Sequence, residues 1–397
     1  MAVKGNSEEN LPWLDKTNLE SWLKTPIEEY LYLKAEPAGK GDNFMSNLHR
    51  LLVRTTGGDI SIIVKCRIDE GTVGETLGQT GIFTKEQQMY KTTLPRLEEI
   101  LLQGLPDVFE SLSPKCFYCC DEFLVIEDLS PLGYKMEDRQ KGLDLTQSMS
   151  VMKALGRLHA ASIKLHESDP NEYKKYHVNF FSEPSVFSTW DTCFEVMMGI
   201  FIEELETWPA EEGSYYVEKL RDLKPNFHQK VHETVQRNDS DFNVLAHADC
   251  WINNLLFNDA TVRFVDFQFV QFTSFAIDLH TLFATTFKME VRRNHRESLI
   301  QEYHESLCST MTALKCERKL ATLKEIHEEI ARKAMYGMFG MVCAASVMTA
   351  APNCGFDLAE VMKGKSPGRQ IYSDYFKQII KWSLPLLNEM GVFNNIY

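Results

Sequence analysis

Hydrophobic and polar positions follow two different patterns along the chain. Residues 30–67 alternate as strands do, with "YLYLKAE" and "FMSNLHRLLVRT" on either side of the loop "PAGKGDN". The turn "TGGD" predicts a hairpin into "ISIIVKC", and "KCFYCC" and "EFLVIEDL" predict two further strands. A helix, "TKEQQMYKTTLPRLEEILL", lies between these groups, and Pro95 is expected to kink or divide it. A short helix, "NLESWLKTP", precedes the first strand.

Beyond Leu129 the pattern becomes mainly helical. Residues 144–166 are amphipathic behind a predicted N-cap at Asp144, and further helices are predicted over 185–236 and toward the C-terminus. The predicted fold class is therefore α+β, with a small antiparallel β-rich lobe carrying one main helix (1–129) and a large, mainly helical lobe (130–397). A cleft between two such lobes is a common place for a ligand.

One segment, "AMYGMFGMVCAASVMTAA" (334–351), carries no charge. It is rich in small residues and methionine, so it predicts a core helix buried on all sides rather than a membrane span. The polar N-terminus lacks the apolar stretch of a signal peptide, which predicts a cytoplasmic protein with reduced thiols. The cysteines of "CFYCC" lack a second pair for zinc and are expected to act as small apolar residues.

Composition narrows the range of partners. The chain has 397 residues, 44% hydrophobic and 25% charged, as in an ordinary globular protein. Its 56 acidic and 42 basic residues give a net charge of −14, which argues against broad nucleic-acid binding, although a local basic groove is compatible with it. No membrane partner is predicted. The sequence does not indicate an oligomeric state.

Two neighbouring stretches carry the candidate chemistry: "HADCWINNLLF" (247–257) and "VRFVDFQFV" (262–270). Asp249, Asn254 and Asp266 have the types and spacing of a phosphoryl-transfer site. Asp249 can accept the proton of an attacking hydroxyl, and Asn254 and Asp266 offer the oxygen ligands that Mg²⁺ prefers. The flanking apolar residues predict two short strands that hold these three side chains.

Further candidate residues lie upstream, in the order that a kinase requires. Gly39, Gly41 and Asn43 belong to a loop that can cover phosphates with backbone N–H groups, or that is only a hairpin turn. Lys65 is a charge in a buried strand and needs a partner, for which Glu86 is placed in the next helix. The alternatives are a snorkelling lysine and a solvated glutamate.

Three more features complete the candidate site. The extended backbone of "LVIEDL", from Glu127 to Leu129, can pair with an adenine edge. His247 is predicted to brace the loop rather than to transfer protons. Asp278 either hydrogen-bonds the loop backbone from beneath or caps a helix.

At these residues the chain resembles the ecdysteroid kinase-like family of arthropods, also called CHK kinase-like proteins, which are related to choline kinases and aminoglycoside phosphotransferases. The resemblance spans roughly residues 30–385 and rests on "GKGDNFMS", "VKC" with "FTKEQQMYKTTLP", "LVIEDLSPLGY", and "HADCWINNLLF" with "VRFVDFQ" and "DLHTLF". It implies a protein-kinase-like fold that phosphorylates a small-molecule hydroxyl with ATP and Mg²⁺. The family's functional residues correspond to Lys65, Glu86, Asp249, Asn254 and Asp266.

Two positions depart from the family pattern. Ala248 stands where the family usually has glycine, a mild change unless the position needs a positive φ. Lys40 lies between the glycines of the phosphate loop and is chemically compatible with phosphate. Neither change removes a catalytic group.

The sequence also bears on the acceptor and leaves two alternative functions open. No long activation segment follows Asp266, which favours a small molecule over a peptide. Aromatic and sulfur-containing residues over 176–201 either line an apolar pocket or form helix core. By resemblance the acceptor is an ecdysteroid or another plant-derived or foreign alcohol or phenol. The alternatives are a catalytically inactive kinase-fold protein that binds nucleotide or a small ligand, and a protein kinase or scaffold.

Overall fold

The N-terminal part is built on one antiparallel sheet. The structure is a computed structural model that describes residues 11–34, 46–68, 71–78, 80–177, 186–259, 261–351 and 354–394. The sheet has the strand order β1-β2-β3-β5-β4, and the predicted hairpin pairs Thr55 with Gly58. Its strands are β1 (Ile27–Lys34), β2 (Ser46–Thr55), β3 (Gly58–Arg67), β4 (Cys116–Cys119) and β5 (Phe123–Glu127).

Helices accompany this sheet on both faces. They are α1 (Lys16–Leu23), α2 (Gly71–Gly78), α3 (Ile82–Gln88) and α4 (Leu94–Gly104). The predicted helix through Pro95 is present as α3 and α4, joined by a π-helical segment at Met89–Thr93. The irregularity therefore precedes Pro95, because proline has no N–H to bond the carbonyl four residues earlier and the wider π turn bypasses it. Helix α2 was not predicted.

The remainder is mainly helical, as predicted. Asp144 caps α5 in a capping box with Gln147, each side chain bonding the other residue's backbone N–H. The helices are α5 (Leu145–Ser168), α6 (Phe187–Leu205), α7 (Val217–Leu223), α8 (Phe227–Val235), α9 (Ala276–Thr285), α10 (Met289–Ala313), α11 (Leu323–Arg332), α12 (Ala334–Phe339), α13 (Ser346–Met348), α14 (Leu358–Met362) and α15 (Asp374–Glu389). This is the α+β fold class that the sequence predicts, with the β-rich part first and the mainly helical part after it.

Two small sheets interrupt the helices and carry the candidate site. They contain β6 (Lys135–Met136), β7 (Asn243–Ala246), β8 (Leu255–Asn258), β9 (Thr261–Phe264) and β10 (Gln271–Ser274). β8 and β9 are the two predicted short strands and form a hairpin; β8 also pairs with β6, and β7 pairs with β10. The chain therefore passes from Asp266 through a 3₁₀ turn and β10 into α9, with no long activation segment between them.

Three apolar cores hold these elements together. The largest lies between α5, α10, β7–β9 and the inner face of the N-terminal sheet. At Gly156, where α5 crosses α10, an added Cβ would lie 2.8 Å from the Leu307 nitrogen, so only glycine permits this approach. A second core lies under α6, α8, α12 and α15, and a third packs α1 on the outer face of the sheet. Because side chains alternate along β3, Val64 faces α1 and Lys65 faces the interior.

Candidate active site

Lys65 forms a buried ion pair with Glu86, as predicted. The Lys65 Nζ lies 2.7 Å from Glu86 Oε2 and 2.9 Å from Oε1, and both residues are buried. Burial favours the neutral lysine, but the charges of Asp266 and Glu86 outweigh it and raise the pKa of Lys65. The Lys65 side chain therefore stays charged and its direction is fixed by α3.

Asp266 is a second partner of the same lysine, which the sequence did not predict. Its Oδ1 lies 2.9 Å from Lys65 Nζ, across 201 positions of sequence. Asp266 has a φ of +65°, in the left-handed region that aspartate tolerates better than most residues. This backbone conformation turns the chain between β9 and the 3₁₀ turn Phe267–Phe269 and directs the carboxylate toward β3.

Asp249 and Asn254 are joined directly. The Asn254 Nδ2 donates to the Asp249 backbone oxygen and to Asp249 Oδ2, each at 2.9 Å. The Val265 N–H donates to the Asn254 carbonyl at 3.0 Å, which places Asn254 next to Asp266 at the open end of the β8–β9 hairpin. Burial, followed by the nearby charge of Asp266, raises the pKa of the Asp249 carboxyl. The structure thus brings Lys65 and the residues of both motifs together.

Asp278 binds the loop backbone from beneath, the first of the two roles predicted for it. This fully buried carboxylate accepts hydrogen bonds from the His247 N–H at 2.8 Å and the Ala248 N–H at 2.7 Å. His159 Nε2 lies 3.0 Å from the same carboxylate. His247 Nε2 lies 3.0 Å from the Val265 carbonyl, so the histidine braces the two motifs against each other, as predicted.

Ala248 has the positive φ that makes its difference from glycine costly. Its φ is +61°, and its carbonyl accepts a hydrogen bond from the Tyr336 hydroxyl at 3.3 Å. The left-handed conformation brings Cβ close to the following carbonyl and costs an L-residue roughly 1–2 kcal/mol. The position therefore meets the condition under which the change from glycine is not mild, and Asp278 and Tyr336 hold a strained residue directly before Asp249.

Replacing Ala248 by glycine is expected to stabilise the protein by about 0.5–1 kcal/mol. The relief of strain exceeds the extra backbone freedom that glycine brings to the unfolded chain. Chemical denaturation measures the change in the free energy of unfolding. Ala154→Gly, within α5, is the control and should destabilise by at least about 1 kcal/mol. A destabilised Ala248→Gly protein would show that the position is not strained.

A large apolar pocket opens beside these polar groups. Its empty volume is about 1540 Å³, including the part open to solvent, and Asp249, Asn254 and Asp266 lie on its wall. One face of α6 contributes further wall residues at helical spacing: Trp190, Cys193, Phe194 and Met197. These four residues also belong to the second core, whereas Met198 and Phe201 belong to that core without lining the pocket. Both interpretations of the segment therefore apply, because the wall residues are also part of the core; residues 178–185 lie outside the described part.

The uncharged segment 334–351 forms a further part of the pocket wall, so its prediction as a helix buried on all sides is wrong in part. Met338, Met341 and Val342 are buried in the second core, whereas Phe339, Cys343 and Val347 line the pocket. A π-helical stretch at Gly340–Ala345 separates α12 from α13, an irregularity found often at functional sites. Among the helices of the described residues, none has the length and hydropathy to cross a membrane.

Tyr336 is the site residue that the sequence analysis missed. It lies on the pocket wall and reaches the loop that carries Asp249. The available signal was a tyrosine hydroxyl in a run of small apolar residues, since a buried Tyr O–H usually finds an acceptor. That signal does not identify the acceptor, because Ala248 lies far away in sequence.

Of the residues predicted to contact the nucleotide, some lie outside the described part of the chain and others lie away from the pocket. Gly39, Gly41 and Asn43, with Lys40, lie outside the described residues. Glu127 and Leu129 lie at the end of β5 and not on the pocket wall. The Glu127 carboxylate pairs with Arg263 at 3.2 Å and its N–H donates to the Lys115 carbonyl at 2.8 Å. The Leu129 N–H has no acceptor in the described part of the chain, although Leu129 is buried.

The side-chain oxygens of Asn254 and Asp266 suit a hard cation bound together with a phosphate. Asn254 uses its Nδ2 on Asp249, and no described residue donates to its Oδ1. Asp266 Oδ1 accepts a hydrogen bond from Lys65, and no described residue donates to its Oδ2. No group of three or more His, Cys, Asp or Glu side chains in the described ranges could hold a metal alone. Magnesium is usually held by one or two protein oxygens plus substrate phosphates, and this pair fits that pattern.

Three small-molecule kinases are among the solved structures to which this chain is similar. A choline kinase from Cryptosporidium parvum is 14% identical, with 88% of this chain and 89% of that chain covered and a TM-score of 0.45. An ethanolamine kinase from Plasmodium vivax is 12% identical, with coverages of 91% and 84% and a TM-score of 0.46. A spectinomycin phosphotransferase in complex with ADP and spectinomycin is 10% identical, with coverages of 94% and 99% and a TM-score of 0.44.

Family membership follows from the sequence itself. No curated protein matches this chain. Residues 40–316, more than half of the chain, match the ecdysteroid kinase-like family, and this range contains every residue of the two motifs. The protein belongs to the ecdysteroid kinase-like family.

Proposed function

We propose that this protein is a small-molecule kinase that transfers the γ-phosphoryl group of ATP to a hydroxyl of an apolar alcohol, either an ecdysteroid or a foreign compound. One observation carries the proposal: Asp249, Asn254 and Asp266 lie together on the wall of a large apolar pocket. A pocket of this kind, with few polar groups at one end, binds an apolar molecule and orients its reactive group. The acceptor hydroxyl is directed to Asp249.

In this proposal, the nucleotide binds on the side of Asp266 that faces Lys65. Residues 1–129 form the nucleotide-binding lobe in this proposal, and residues 130–397 form the catalytic and substrate-binding lobe. Lys65, fixed by Glu86, contacts the α- and β-phosphates, and the loop with Gly39, Gly41 and Asn43 covers them. The Leu129 N–H, which has no acceptor among the described residues, offers a donor to the adenine edge, and the backbone at Glu127 offers the neighbouring contact.

Asp249 acts as the base. Asn254 donates to its Oδ2, and Oδ1, which has no donor among the described residues, is left to accept the hydroxyl proton. As the acceptor oxygen bonds to the γ-phosphorus, the bond from that phosphorus to the ADP oxygen breaks. Asn254 and Asp266 hold Mg²⁺, which neutralises charge on the phosphates when it is bound. Asp278 and Tyr336 keep the loop of Asp249 in place throughout.

A thermal-shift titration with ATP, with and without Mg²⁺, tests the nucleotide site. A ligand at 100 times its Kd stabilises the folded state by about 2.7 kcal/mol, and we expect a shift that requires Mg²⁺. An assay of ADP release with a panel of ecdysteroids and other apolar alcohols then identifies the acceptor class. A folded protein without any shift would instead favour the inactive alternative, a kinase-fold protein that binds a small ligand without transfer.

Substituting Asp266 by asparagine should abolish the Mg²⁺ dependence of that shift. Asparagine keeps the shape and tolerates the positive φ, whereas alanine would add backbone strain. Lys65 retains Glu86, so the fold should persist. The control is Asp259→Asn, an exposed aspartate of the same hairpin with a φ of +49°, which should behave as the wild type. An unchanged Mg-ATP shift in Asp266→Asn would remove Asp266 from the metal site.

A further inference from the structure

Two cysteines of the edge strand β4 lie on the same face of the sheet. Residues three apart in a regular strand point to opposite faces. Here the pairing with β5 slips by one residue between Cys116 and Tyr118, as in a β-bulge. Cys116 and Cys119 consequently both pack against the largest core, whereas Phe117 and Cys120 both pack against the third core on the other face.

The pKa values of the two thiols are shifted in opposite directions, because hydrogen bonding with Cys119, and then burial, raise the pKa of Cys116. Both are half-buried and free, and Cys116 Sγ lies 3.6 Å from the Tyr118 carbonyl, near the end of the strand. Hydrogen bonding from Cys116, and then the charge of Lys91, overcome burial and lower the pKa of Cys119 to about 7. Burial instead raises the pKa of Cys66 to about 12.

We propose that Cys116 and Cys119 form a reversible intramolecular disulfide in exchange with low-molecular-weight disulfides such as oxidised glutathione. The Cys119 thiolate attacks one sulfur of that disulfide, whose S–S bond breaks and releases one thiolate. Cys116 then loses its proton and attacks the Cys119 sulfur, which releases the second thiolate. Two protein thiols are oxidised and one external disulfide is reduced to two thiols.

This pair is connected to the candidate active site through Tyr90. β4 packs against the π-helical segment that contains Tyr90 and Lys91. Tyr90 is buried, and its ring meets that of Phe267 edge-on, with centroids 5.6 Å apart. Phe267 directly follows Asp266. A disulfide draws the bulged strand together and shifts this contact, so oxidation lowers the affinity for Mg-ATP; this consequence rests on the proposed function.

The experiment uses the full chain in glutathione buffers of increasing oxidised fraction. Mass spectrometry under non-reducing conditions should show the loss of two hydrogens without added glutathione, reversed by a dithiol. Cys120→Ser, at the residue directly after β4 and on the opposite face, should behave as the wild type. Cys116→Ser should stop at a glutathione adduct on Cys119, and Cys119→Ser should give no disulfide.

Two results would overturn the proposal: no intramolecular disulfide in the wild type, or one that disappears in Cys120→Ser. Mg-ATP titrations of the reduced and oxidised protein test the consequence separately. At least a severalfold weaker affinity after oxidation is expected, and equal affinities would refute the link through Tyr90. If the reduced protein binds no Mg-ATP, the proposed function fails while the disulfide result stands by itself.

Discussion

Replacing Asp249 by asparagine is expected to slow phosphoryl transfer by about 10²–10⁴-fold, the usual contribution of a general base. Asparagine has the same shape and can still accept the hydrogen bond from Asn254, but it cannot take the acceptor's proton. Binding of Mg-ATP should change little, because Lys65, Asn254 and Asp266 remain. The measurements are the rate of ADP formation with the best acceptor of the panel and the Mg-ATP thermal shift.

Asp259→Asn provides the control for this substitution, since it makes the same chemical change at an exposed turn nearby. Its rate should equal that of the wild type. Transfer at the full rate by Asp249→Asn would mean that another group is the base. Loss of the Mg-ATP shift as well would mean that Asp249 helps to hold the nucleotide, and that its assigned role is too narrow.

Substituting Asp278 by alanine should lower the free energy of unfolding by about 3–5 kcal/mol, the usual penalty for removing one partner of a buried charged network. Its carboxylate accepts from the His247 and Ala248 N–H groups and contacts His159, all in the interior. Alanine would leave these groups without an acceptor. Because the same bonds hold Ala248 in its strained conformation, the loop before Asp249 should also lose its position, and transfer should fall with stability.

Asp374→Ala separates this role from a simple helix-terminal effect. Asp374 is an exposed acid in the first turn of α15, just as Asp278 is an acid in the first turn of α9. A favourable charge at a helix N-terminus contributes no more than about 1 kcal/mol at the surface. Equal losses in the two variants, measured by chemical denaturation, would assign Asp278 to helix capping only.

The pairing of Lys65 with Glu86 could be predicted because a lysine in a buried strand requires a nearby acid, and the next predicted helix supplies one. Asp266 as a second partner could not, because it lies 201 positions away and only the tertiary structure decides which acids approach β3. The strain at Ala248 was hidden for a different reason. Alanine strongly disfavours a positive φ, so its presence argues against the conformation that it adopts here.

Some of the residues on the pocket wall could be predicted from the sequence, and others could not. Residues 334–351 were predicted to be helix core because nothing in their composition distinguishes a wall of an apolar pocket from the interior. The difference depends on whether another element covers that face, as happens for Met338 and does not happen for Cys343. The four wall residues of α6 were among the suggested pocket residues, but the sequence could not separate them from core residues that do not line the pocket.

The hydrogen bond from the Val265 N–H to the Asn254 carbonyl has a consequence for the thermodynamics of binding. Because of this bond, the main chain of one hairpin fixes the distance between Asn254 and Asp266. That distance does not depend on how elements far apart in the sequence pack together. The conformational entropy of bringing these two side chains together is therefore lost once, when the protein folds, and not again with each binding event. Movements between the N-terminal sheet and the helical part would alter the distance to Lys65 while leaving this oxygen pair intact.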